Sequence, residues 1–80
     1  MENNFVTSDF YSAVFLQYSG LILIGINKSE RRFGFVFEDT SERSRLIEDF
    51  FAGRATVEPR RFIAAIKEVK SLMYSDALGE

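Results

Sequence analysis

Phe33, Phe35 and Phe37 alternate with Gly34, Val36 and Glu38, and this period of two constrains the fold more than any other stretch of the chain. Aromatic residues at every second position describe a strand with one buried face. Upstream, Leu21 to Ile26 is rich in β-branched residues and lies between Gly20 and the polar Asn27, Lys28 and Ser29. The two segments read as a β-hairpin centred on the chain from Gly20 to Glu38.

The turn sets the expected register. A two-residue turn at Ser29 and Glu30, or a four-residue loop from Lys28 to Arg31, places Ile22 opposite Phe37, Ile24 opposite Phe35 and Ile26 opposite Phe33. A three-residue loop would instead set Leu21, Leu23 and Gly25 against the phenylalanines, with Ile22, Ile24 and Ile26 on the other face, a poorer burial. Ser-Glu is not favoured in a type I′ turn, which points to the four-residue loop.

The chain is 80 residues long, enough for one domain over 1–80 and no separate catalytic lobe. Met1 to Asn4 and Asp76 to Glu80 read as frayed ends. A chain this short buries only about 60 to 65 percent of its unfolded surface. With no Cys and no His it has neither a disulfide framework nor the common zinc or thiolate sites, which leaves a dense apolar core or oligomerisation as the supplement. Burial of the nine phenylalanines comes out about even against the ordering cost of the chain, so association with a second copy is weighed as the supplement.

Three helices flank the hairpin in the pattern. Thr7, Ser8 and Asp9 form a start signal for a helix from about Ser8 to Tyr18, with the hydroxyls as caps and the carboxylate in the first turn. Tyr11, Val14, Phe15 and Tyr18 make its stripe, Phe10, Ala13 and Leu16 add apolar sides, and Ser12, Gln17 and Ser19 are expected in water. Gly20 is a fitting stop. Asp39 and Glu42 stand in capping-box spacing, with Thr40 or Ser41 as alternative caps, ahead of a helix to about Ala52 that buries Leu46, Ile47, Phe50 and Phe51 and stops at Gly53. Glu58 and Pro59 open a last helix to about Tyr74, with the seam Phe62, Ile66, Val69 and Met73. Ala65 and Leu72 extend that seam, and Ile63 and Tyr74 lie off it. Phe5 to Thr7 and Arg54 to Val57 are candidate short strands. The pattern predicts a single small α+β domain, a sheet of two to four antiparallel strands packed against three helices.

From Phe10 to Asn27 no residue is charged, a length at which a membrane helix is to be weighed. Ser12, Gln17, Ser19, Gly20 and Gly25 interrupt the run, and Gly20 divides a helical half from a strand-like half. No membrane partner is expected, and Glu2 and Asp9 oppose a secretory signal.

Charge groups in two places. Lys28, Arg31 and Arg32 cluster at the hairpin tip, and Arg54, Arg60 and Arg61 flank the start of the last helix. On one side of the molecule these six could contact several phosphates of a nucleic acid. As ordinary solvated charges they keep the protein soluble and blunt a sheet edge. The net charge of −2 and a pI near 5.1 place nucleic acid second to protein as a partner. Glu38, Asp39 and Glu42 read as helix-start carboxylates, not as a hard-cation site. Neither Glu48 with Asp49 nor Asp9 with Glu38 comes with a nucleophile or oxyanion donors, so an enzyme is not expected. No cofactor, metal or small-molecule ligand is indicated. The phenylalanines of the strand could stack bases, but isoleucines set opposite them make core the better reading.

The string Thr7-Ser8-Asp9-Phe10-Tyr11-Ser12-Ala13, the glycine before an aliphatic strand, Phe35-Val36-Phe37-Glu38-Asp39, Gly53, Pro59-x-x-Phe62 and Leu72-Met73-Tyr74 together resemble a family of short bacterial and phage-borne domains of unknown function. The resemblance spans about Phe5 to Tyr74. It implies a bacterial or mobile-element setting and a cytoplasmic protein, and it brings no assigned active site. The expected role is a non-catalytic protein-interaction module that forms a homo-oligomer through spare apolar surface on the first or last helix or a free strand edge. The alternative is a nucleic-acid-binding accessory protein acting through Lys28, Arg31, Arg32, Arg54, Arg60 and Arg61.

Overall fold

A computed structural model describes residues 3–28 and 33–75. The elements are β1 (Asn4–Thr7), α1 (Phe10–Tyr18), β2 (Leu23–Lys28), β3 (Phe33–Glu38), α2 (Arg43–Ala52) and α3 (Pro59–Met73). The strands form one antiparallel sheet in the order β1-β3-β2, so the fold is α+β. The strand expected at Phe5–Thr7 is present and begins at Asn4, inside the stretch expected to fray. Residues 29–32, on which the expected turn falls and which include Arg31 and Arg32, lie outside the described residues, as does the tail from Asp76.

The hairpin register departs from expectation. Ile26 faces Phe35, Asn27 faces Gly34 and Lys28 faces Phe33, two residues away from the expected pairing. Gly25 then faces Val36 and Leu23 faces Phe37, with a β-bulge between them whose additional residue is Ile24. Leu23 thus takes the place expected for Ile22, while Ile22 and Ile24 are 61% and 46% exposed.

The bulge has a cause at the end of α1. Gly20 has φ +107°, its N–H donates to the Gln17 carbonyl, and the Leu21 N–H donates to the Leu16 carbonyl, the paired bonds of a Schellman stop. That stop brings Leu21 down onto Leu16, and both are buried. Leu21 inward makes Leu23 inward, whereas at the other end of the strand Ile26 is inward opposite Phe35. Leu23 and Ile26 are three apart, and a regular strand puts such residues on opposite faces. One extra residue reconciles the two phases.

Phe35 and Phe37 are the largest fully buried side chains and meet Val14, Leu16, Ala13, Ala65 and Val69 of α1 and α3. Phe62, Ile66, Leu72 and Met73 pack against this core, as the α3 seam predicts, and Ile63 and Tyr74 are exposed. In α1, Tyr11 is 54% exposed, and Ser12, expected in water, is fully buried. Ser12 tolerates burial because its hydroxyl donates to the Asp9 carbonyl. The cap of α1 is Asp9 itself, which accepts from the Ser12 N–H at 2.9 Å.

α2 is the least integrated element. It has no buried residue: Leu46 and Ile47 rest on the core rim, Phe50 stacks on Phe15 at 5.6 Å, and Phe51, expected inside, is 64% exposed. The expected capping box does not form. Asp39 instead binds Arg43 through two hydrogen bonds of 3.0 and 3.3 Å, and the Arg43 guanidinium lies over the Phe5 ring, which ties α2 to β1. Gly53 ends α2 with φ +79°. Residues 54–57 are not a strand: the Arg54 and Ala55 N–H groups are drawn back to the Asp49 carbonyl, and the segment connects the two helices. Glu58 and Pro59 open α3 as the pattern predicts, with the Glu58 carboxylate accepting from the Arg61 N–H at 2.8 Å.

Candidate functional site

The helices cover the sheet face that carries Phe35 and Phe37 and leave the other face open. On β1 and β3 the pairs Val6–Val36 and Asn4–Glu38 lie on this open face, and Gly34 lies beside them, where an added Cβ would meet Val6 Cγ1 at 3.4 Å. On β2 the face carries Ile22, Ile24, Gly25 and Asn27, with the Ile22 carbonyl accepting from the Glu38 N–H. A solvated sheet face ordinarily alternates toward polar residues. Here Val6 is 52% exposed alongside Ile22 and Ile24, Val36 is half-buried, and among the described residues Glu38 is the single charge.

The described basic residues separate. Lys28 sits at the end of β2 opposite Phe33, whose ring stacks on Phe35, itself against Phe10 at the start of α1. Arg61 lies over the ring of Tyr18 at the other end of α1, 5.2 Å from its centroid. Arg54 is held by Asp49 through Nε at 3.1 Å and Nη2 at 3.1 Å. Arg60 is exposed beside Arg61 on the first turn of α3. Arg60 and Arg61 therefore share one end of the helical layer, and Lys28 stands toward the other.

The described aspartates each have a partner. Asp9 caps α1, Asp49 holds Arg54 and Arg45, and Asp39 holds Arg43. The Arg43 hydrogen bonds push the Asp39 carboxyl below its ordinary value, outweighing desolvation, with the Arg43 charge and a Thr40 backbone bond adding to the shift. Glu38 lies at the Asn4 end of the β1–β3 pair and Asp9 beyond its Thr7 end, so these two are not brought together. Among the described residues no group of three acidic side chains is placed to hold a metal ion. No helix is long and apolar enough to cross a membrane among those residues.

Between α1 and α3 lies a groove of about 310 Å³ lined by Gln17, Tyr18, Arg61, Ala64, Ala65 and Glu68. Arg61 and Glu68 bring opposite charges to its lining. The Gln17 Oε1 atom is buried there without a hydrogen-bond partner.

The family model for a domain of unknown function, DUF5659, matches residues 2–75. The chain belongs to that family. No curated protein and no solved structure matches the DUF5659 chain. The sequence pattern hides the open face of this DUF5659 domain, because the expected register sets Ile22 and Ile24 against the phenylalanines. The signal that could have exposed it is Gly20, since a Schellman stop there already commits Leu21 to the core.

Proposed function

We propose that this DUF5659 domain is a non-catalytic interaction module that self-associates. The observation that carries the reading is unspent apolar surface on a small chain. Large side chains contribute to that surface on both layers, with Phe51 and Ile63 on the helical side and Val6, Ile22 and Ile24 on the sheet side. A domain of this size gains stability by covering such groups with a second chain.

Sedimentation equilibrium over a wide concentration range tests the reading. A mass rising from monomer to dimer with concentration supports it, and a monomer at millimolar concentration removes it.

A further inference from the structure

We infer that the open face of the sheet is the surface through which two copies of this chain pair, face to face about a twofold axis near Val36. This rests on the self-association reading above and assigns its interface. Three observations select a second copy as the occupant.

The first is charge. With 28% charged residues overall, the chain places only Glu38, among the described residues, on this face. A face with almost no field attracts neither a polyanion nor a charged peptide, and it meets its own copy without like-charge repulsion.

The second is self-complementarity. Val36 lies on the central strand, between Val6 on β1 and the Ile24 bulge on β2. A twofold axis through this row sets aliphatic residues on aliphatic residues. Glu38 and Asn27 lie at opposite ends of the face, so stacking two sheets with strands antiparallel carries each carboxylate toward the other copy's Asn27 amide, a neutral donor.

The third is area. Val6, Ile22 and Ile24 are 52%, 61% and 46% exposed together on this face, apolar area that a second copy covers. The molecule measures 34 × 33 × 21 Å, a slab about one helix layer and one sheet thick, so the sheet forms one of its broad sides.

The experiment compares native protein with Val6→Lys, Val36→Cys and Phe51→Ser by sedimentation and oxidative cross-linking. Val6→Lys, on the face but away from the free β2 edge, is expected to weaken pairing about 100-fold by placing a cation and its symmetry mate in the contact. Phe51→Ser, on the helical side, is expected to leave pairing unchanged. Val36→Cys, the only thiol in the chain, is expected to oxidise to a covalent dimer. Native protein that pairs while Val6→Lys pairs equally tightly overturns the inference and leaves self-association standing, as for a contact along the β2 edge. Loss of pairing in Phe51→Ser moves the interface to the helices with the same effect. Should Val6→Lys fail to fold, absence of the Val36→Cys cross-link in a pairing concentration range overturns it. A native monomer at all concentrations removes both readings together.

Discussion

The Glu58 backbone N–H donates to the Tyr18 hydroxyl at 2.8 Å across a separation of forty residues. Glu58 caps α3 and Tyr18 closes α1, so this bond fixes where the last helix starts relative to the first. The Tyr18 ring is held by Phe62 edge-on at 5.8 Å, by Phe15 stacked at 6.3 Å and by the Arg61 guanidinium. Tyr18→Phe keeps the ring and loses only the acceptor, and is expected to cost about 1 kcal/mol in urea unfolding. Tyr18→Ala, which also loses the aromatic contacts, is expected to cost at least twice as much. Equal losses for the two would show that the hydroxyl carries the whole effect.

Gly20 and Gly25 look alike in the sequence and differ in the fold. An added Cβ meets nothing within 4 Å at either position, but Gly20 has φ +107°. Gly20→Ala is therefore expected to lose about 1 to 2 kcal/mol from backbone strain alone. Gly25→Ala carries no such strain and is expected to be neutral or stabilising by a few tenths of a kcal/mol. Thermal melts of the two variants at one pH measure the contrast.

The Asp39–Arg43 pair predicts an acid-sensitive contribution to stability. Asp39 has a carboxyl pKa lowered in the folded state, mainly by its hydrogen bonds from Arg43. The unfolded chain then binds the proton more readily, so the contribution is present above the unfolded value, about 3.9, and is lost as pH falls through the lower folded value. Asp39→Asn should flatten the stability profile below about pH 4 and leave its slope at neutral pH unchanged. Urea midpoints taken from pH 2 to 7 would show it, and parallel profiles for native and variant protein would remove Asp39 as the source.

What the sequence disclosed was what local chemistry decides. Glu58 with Pro59, Gly53 and Gly20 act within a few residues of themselves, and the α3 seam and the Phe35–Phe37 pair follow from period alone. What it withheld depends on distant groups. The capping box at Asp39 gave way because Arg43 binds that carboxylate while lying over Phe5, a residue of another element. Arg54 to Val57, with two β-branched residues, reads as a strand until the Asp49 carbonyl takes its first two N–H groups. The open face was the least legible feature. Whether Ile22 and Ile24 are core or surface turns on one residue of register, and that register is settled by two ends of β2 pulling on different phases.

That conflict of phases yields a sharp prediction. If the bulge exists only because Leu21 and Leu23 are inward from the helix stop and Ile26 is inward from the hairpin, Ile24 is dispensable to the monomer fold. Deleting it leaves Leu21, Ile22, Leu23, Gly25 and Ile26 in perfect alternation, with every inward residue still inward and Leu23 still able to face Phe37. The deletion variant is expected to fold with a midpoint within about 4 to 8 °C of the native protein, a change of about 1 kcal/mol for a domain this size. It also removes an exposed isoleucine and the local twist of the bulge from the open face, so its sedimentation should show weaker pairing at unchanged secondary structure. A deletion variant that is unfolded by circular dichroism would show that Ile24 holds the sheet together in some way other than reconciling the two ends of its strand.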